Sequence, residues 1–75
     1  MSNKQIKTDT IYLTLLDGNN IIFTYNSDYT EDITRDLREA IESGSMWYAT
    51  NYEDSKAIYK GNELEFINTK LIVGY

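Results

Sequence analysis

The chain opens its regular pattern with two apolar segments separated by a polar turn. Residues 10–16, TIYLTLL, and residues 21–25, IIFTY, are rich in β-branched and aromatic side chains, which favour strands. Between them, residues 17–20 read DGNN and supply the residue types that accept positive φ in a tight turn. The pattern predicts a β-hairpin, preceded by a flexible N-terminal segment at residues 1–9.

The spacing of apolar residues changes after the hairpin and becomes that of a helix. Asp28 followed by Glu31 resembles a capping box, and Gly44 fits a left-handed C-terminal stop. We therefore predict a helix over residues 29–43. Its apolar stripe repeats every three or four residues and consists of Tyr29, Ile33, Leu37, Ala40 and Ile41.

The remainder of the chain reads as short strands separated by turn residues. The predicted strands are residues 46–51, 56–60 and 63–67, before a last segment at residues 70–73. With the hairpin and the helix they give the order ββαβββ. We expect one α+β domain over residues 10–75, in which a single helix lies on an antiparallel sheet.

Neither face of this predicted sheet is polar enough for contact with water alone. In the first strand Leu13 and Leu15 alternate with Tyr12 and Leu16, and one helix covers only one sheet face. Either the sheet curls into a barrel-like closure, or its second face is buried by a second copy or by a partner. We favour a homo-oligomer, because a domain this short without staples often gains burial by association.

The segment MWYATNY, residues 46–52, is the densest aromatic cluster in the chain. With a period of two, Trp47 and Ala49 point to one face and Met46, Tyr48 and Tyr52 to the other. We expect the first pair beneath the helix and the second group on the far face. That far face is open to three interpretations: filling of the core, an interface between proteins, or stacking on bases.

Three of these aromatic and apolar positions are predicted to mediate self-association, and two are predicted to anchor a partner. The self-association residues are Tyr12, Met46 and Tyr48, and the partner anchors are Tyr48 and Tyr52. Large, rigid side chains of this kind provide contact area at low cost in conformational entropy.

The helix carries a row of acids beside its apolar stripe. Asp32, Asp36 and Glu39 follow Asp28 at one-turn spacing, and like charges at that spacing repel. Contact with a basic protein would explain the row. The alternative is that the first acids only complement the positive N-terminal end of the helix. We predict that Asp32, Asp36 and Glu39 contact a partner.

Charge and composition restrict the chemistry. The 75 residues contain 12 acids and 7 bases, for a net charge of −5. General affinity for duplex DNA or RNA is therefore not expected. Cys and His are both absent, which removes the usual nucleophile–base pairs and the commonest ligands of transition metals. No metal site, cofactor or catalytic residue is predicted, and we expect a non-enzyme. No signal peptide or membrane segment is predicted either, so the expected location is the cytoplasm.

These observations predict a small, acidic, non-enzymatic protein-binding module. It would act on a partner with a basic surface through the acidic flank of the helix and an aromatic sheet face. The bias toward Asn, Ile, Lys and Tyr suggests a phage or mobile-element product that inhibits a host protein. The alternatives are single-stranded nucleic-acid binding, by Tyr and Trp stacking with Lys56, Lys60 and Lys70, and a structural subunit of an assembly.

Overall fold

The structure, a computed structural model, describes residues 7–75 and confirms the α+β class. One helix lies with antiparallel sheets. The elements are β1 (Thr8–Leu15), β2 (Asn20–Asn26), α1 (Thr30–Ser43), β3 (Met46–Tyr48), β4 (Lys56–Tyr59), β5 (Asn62–Leu64), β6 (Phe66–Asn68) and β7 (Ile72–Gly74). Thr8 and Asp9 belong to β1 rather than to the predicted flexible segment, whose residues 1–6 lie outside the described part of the chain.

The strands form two separate sheets. The larger sheet has five strands in the order β5-β4-β2-β1-β7, and β3 pairs with β6 in a sheet of two. The single strand predicted over residues 63–67 is wrong: it is divided at Glu65 between β5 in the larger sheet and β6 in the smaller one. This division is what brings the aromatic side chain of Phe66 beside β3.

Two hairpins connect strands of the larger sheet, and the turn residues of the β4–β5 hairpin explain its geometry. The β4–β5 connection has only Lys60 and Gly61 between the paired residues Tyr59 and Asn62. Both connecting residues have positive φ, 51° and 81°, as the twist of a two-residue hairpin requires. The predicted β1–β2 hairpin is also confirmed, with Leu13 opposite Ile21.

The two ends of α1 have different local structures. Gly44 ends the helix in the left-handed region at φ 66°, as predicted. The predicted capping box is wrong, because residues Ser27–Tyr29 form a turn of 3-10 helix before α1. The side chain of Asn26 caps that turn by accepting a hydrogen bond from the Asp28 N–H at 2.9 Å.

One core lies between the inner face of the larger sheet, α1 and the two-stranded sheet. Phe23 is at its centre, with its ring 5.1 Å from that of Trp47 in an edge-on arrangement and 5.7 Å from that of Tyr25. The buried apolar side chains come from every layer: Leu13, Leu15, Ile21, Phe23, Tyr25, Ile33, Leu37, Ala40, Trp47, Ala49, Ala57 and Ile67.

The outer face of the larger sheet stays uncovered by the described residues. Tyr12, Ile22 and Ile58 stand opposite one another across β1, β2 and β4, and Tyr12 is 58% exposed. The larger sheet does not close into a barrel, so the barrel-like alternative is wrong. Within residues 7–75, no helix is both long enough and apolar enough to cross a membrane.

Candidate protein-binding surface

The outer face of the two-stranded sheet carries three exposed apolar side chains, here called the aromatic surface: Met46, Tyr48 and Phe66. They are 51%, 55% and 42% exposed, respectively. Tyr48 is directly opposite Phe66 across the strand pair, and their rings are 6.0 Å apart at an angle of 69°. This edge-to-face contact is one of the favoured arrangements of aromatic pairs.

The period of two places these side chains outward. Trp47 and Ile67 are paired between β3 and β6 and both are buried in the core. Their chain neighbours must therefore point away from it. The prediction that Trp47 and Ala49 face inward, with Met46 and Tyr48 outward, is confirmed.

Tyr52 is not part of that outward row, contrary to the prediction. β3 ends at Tyr48, and Tyr52 lies in the following turn, where its ring is 5.4 Å from that of Tyr29. Its hydroxyl donates a hydrogen bond to the Asp36 carboxylate. That hydrogen bond, followed by partial burial and the nearby negative charge, raises the pKa of Tyr52 to about 12.

The three residues predicted to mediate self-association do not form one surface. Tyr12 lies on the outer face of the larger sheet, whereas Met46 and Tyr48 lie on the outer face of the smaller one. The two faces point away from the same core. Local period alone does not assign strands to sheets, so the sequence could not separate these residues.

The acidic flank of α1 is partly neutralised within the chain. The guanidinium of Arg35 lies 3.0 Å from the Asp32 carboxylate and 3.7 Å from that of Asp36. The hydrogen bond from Arg35 to Asp32, together with this local negative charge, raises the pKa of the guanidinium. Arg35 therefore pairs with two of the three acids that are predicted to contact a partner. In the described part of the chain, Glu39 itself takes part in no ion pair.

A shallow depression joins this flank to β3. It has a volume of about 320 Å³ and is open to solvent. Asp36 and Glu39 line it from the helix, and Trp47 lines it from β3. The acidic flank therefore reaches β3 at Trp47, whose side chain lies on the opposite face of the strand from that of Tyr48.

An apolar pocket lies on the other side of Phe66, between the two sheets. Its volume is about 250 Å³. Phe66 contributes both to this pocket and to the aromatic surface. The lining residues come from both sheets and from the turns that flank them: Leu15, Leu16, Asp17, Ile21, Tyr59, Leu64, Phe66, Ile67, Asn68 and Leu71.

Asp17 is the ionised group at this pocket. Its carboxylate accepts a hydrogen bond from the Tyr59 hydroxyl and another from the Asn19 N–H at 2.8 Å. These bonds, with a smaller effect from the charge of Lys60, lower the pKa of Asp17 from 3.8 to about 2. The carboxylate therefore keeps its negative charge throughout the physiological pH range.

Sequence reasoning did not identify Phe66 or the pocket. With a period of two over residues 63–67, Phe66 shares a face with Leu64, which is inward. The change of sheet at Glu65 reverses this relationship. The signal that was available is the charged residue Glu65 between two apolar ones, where a strand break keeps both Leu64 and Ile67 packed on the core.

Comparison with known proteins does not place the chain in a family. No protein-family model, characterised protein or solved structure matches it. We therefore interpret the surface from its own geometry and charge. Within residues 7–75, no group of three or more acidic side chains is arranged to hold a metal ion.

Proposed function

We propose that this chain is a small protein-binding module whose aromatic surface contacts a partner with a basic surface. The observation that carries the proposal is the edge-to-face pair of Tyr48 and Phe66 on a sheet face that the described residues leave uncovered. The core is already filled by Phe23, Trp47 and Ile67 beneath that face. The exposed rings are therefore not needed to complete the fold.

The arrangement suits binding because the anchors are held before contact. Each ring is fixed by a strand backbone and by the ring opposite, so little side-chain entropy remains to be lost on association. Tyrosine and methionine are enriched at the centres of protein interfaces for this combination of large area and adaptability. A partner that covers this face would bury both rings together.

The charge around the aromatic surface favours a basic partner. Asp36 and Glu39 line the depression that reaches Trp47, and Asp17 lines the pocket to which Phe66 also contributes. With a net charge of −5, the chain attracts a positively charged protein and repels a polyanion. Trp47, which the nucleic-acid alternative uses for stacking, is only 6% exposed.

A site-specific photo-crosslinker tests the proposal. We would place it at position 48 and, as the matched control, at position 12, where another exposed tyrosine lies on the opposite side of the fold. In extract of the source cell, we expect position 48 to crosslink to one protein of high isoelectric point, and position 12 not to capture it. Equal crosslinking at both positions would contradict the proposal, as would capture of only acidic proteins or of nucleic acid. Inhibition of the captured protein, the role predicted from the sequence, stays a prediction.

A further inference from the structure

The apolar pocket beside Phe66 differs from the rest of the surface in shape and composition. It is formed where the turn between β1 and β2 meets the smaller sheet, and its walls are mainly leucine, isoleucine and phenylalanine side chains. Leu16 and Leu71 lie at its solvent side and are exposed. An apolar concavity that remains open to solvent is a site where burial of another apolar group is favourable.

The size of the pocket limits what it accepts. Pockets that bind small-molecule ligands and cofactors usually have volumes of about 300–1,000 Å³, and this one has about 250 Å³. It is therefore suited to one large side chain rather than to a complete cofactor. Partner side chains that fill such pockets are typical energetic anchors of protein interfaces.

The charges around the pocket determine what stands beside that anchor. Asp17 contributes a carboxylate to the lining, and Glu63 and Glu65 line a neighbouring depression that shares Leu64 with the pocket. Lys60 is the basic residue whose charge acts on Asp17, and its ammonium lies 5.4 Å from the centre of the Tyr59 ring. No ion pair joins Lys60 to Asp17 within the described residues, so the carboxylate remains available to an incoming cation.

We infer that this pocket receives one large apolar side chain of a partner peptide, whose neighbouring Lys or Arg pairs with Asp17. The inference rests on the proposed function and adds the recognition pattern. The partner's apolar residue displaces water from the pocket, and its cation meets the carboxylate at the edge. Phe66 links this contact to Tyr48, so the peptide enters the pocket from the aromatic surface.

Selection from a library of short random displayed peptides tests the inference. We expect the enriched peptides to share a large apolar residue within two positions of Lys or Arg. Synthetic copies are then titrated into the protein by fluorescence anisotropy. Leu71→Asp, which puts a charge on the pocket wall, should weaken binding by at least about tenfold. Val73→Asp is the matched control, because Val73 is also exposed but does not line the pocket.

A second pair of changes isolates the charge contact. Asp17→Asn should weaken binding by about two- to fivefold, the range of an exposed ion pair. This loss should disappear when the peptide carries Gln in place of its Lys. Near-ultraviolet circular dichroism of the buried Trp47 verifies that each variant is folded. If Leu71→Asp does not fold, Leu16→Asp tests the same wall from a more exposed position.

Three outcomes would overturn the inference. They are the absence of any enriched pattern, a pattern without basic residues, and binding that both wall variants leave intact. Binding lost in Tyr48→Ala but retained in the wall variants would reject the pocket and leave the proposed function standing. Conversely, peptide binding in the pocket without partner crosslinking at position 48 would reject the proposed function alone.

Discussion

Tyr48 and Phe66 face each other across a two-stranded sheet, and their rings meet edge to face 6.0 Å apart on its solvent side. Their immediate neighbours Trp47 and Ile67 form the corresponding pair on the core side. A single short sheet therefore presents an aromatic pair to solvent on one face and packs Trp47 and Ile67 into the core on the other. This arrangement separates the residues available for binding from those that stabilise the fold.

Truncation of adjacent residues in β6 should show that separation. Phe66→Ala should lower the free energy of unfolding by about 1–2 kcal/mol, since the half-exposed ring loses its contacts with Tyr48 and with the pocket wall. Ile67→Ala removes a fully buried side chain and should cost about 2–5 kcal/mol. Urea denaturation measures both. Equal costs for the two variants would show that Phe66 is part of the structural core.

The hydrogen bond between Tyr52 and Asp36 should stabilise the fold in a pH-dependent way. The raised pKa of Tyr52, from 10.0 to about 12, means that this stabilisation is complete below pH 10 and is lost as the pH rises toward 12. Tyr52→Phe should cost about 0.5–1 kcal/mol below pH 10, with a smaller difference from the wild type near pH 12. Ultraviolet titration should also lose its latest-ionising tyrosine in this variant. If the variant instead loses a tyrosine that ionises near pH 10, the assignment of the raised pKa to Tyr52 is contradicted.

The hydrogen bond between Tyr59 and Asp17 should affect the stability of the fold at acidic pH. The lowered pKa of Asp17 contributes stability that is present above pH 3.8 and is lost as the pH falls toward 2. Tyr59→Phe removes the largest cause of the shift, so the pKa of Asp17 should rise but stay below 3.8 because the Asn19 N–H still donates. NMR titration of the carboxyl carbon measures this pKa. Tyr75→Phe, at the exposed end of the chain, should leave it unchanged.

Thr69 should prove to be a structural residue. It is almost completely buried, and its hydroxyl donates to the carbonyl oxygens of Ala40, at 3.0 Å, and Ser45. These contacts tie the segment after β6 to the end of α1. Thr69→Val keeps the shape but removes the donor, and should cost about 1–2 kcal/mol. Thr14→Val, on half-exposed β1, should change the free energy of unfolding by less than about 0.5 kcal/mol.

Self-association, predicted from the sequence, is measurable by light scattering. We expect a mass above that of the 8.7 kDa monomer, with the uncovered outer face of the larger sheet as the contact. Ile22→Lys, in the centre of the row with Tyr12 and Ile58, should restore the monomer mass. Met46→Lys on the opposite surface should leave the oligomer intact. A monomer at every concentration would refute the prediction, and the reverse pattern of effects would assign contact between copies to the aromatic surface.

The local features of this protein follow from its sequence. The β1–β2 hairpin, the body of α1, its stop at Gly44 and the inward direction of Trp47 all depend on periods and turn residues within a few positions along the chain. Within one element, the period of the side chains, two in a strand and 3.6 in a helix, decides which residues share a face. The row of acids on α1 is likewise local, because its members are one helical turn apart.

The tertiary structure decided which of those local pieces meet. Asp36 joins Tyr52 from 16 residues away, and Asp17 joins Tyr59 from 42 residues away. The break at Glu65 moves Phe66 to the smaller sheet and opens the pocket. Sheet order and register fix such pairings, and they are set by how the whole core packs rather than by propensity at any one position. Local sequence therefore determined the first hairpin, the helix and the inward side of β3, while long-range packing made the surface that we propose binds a partner.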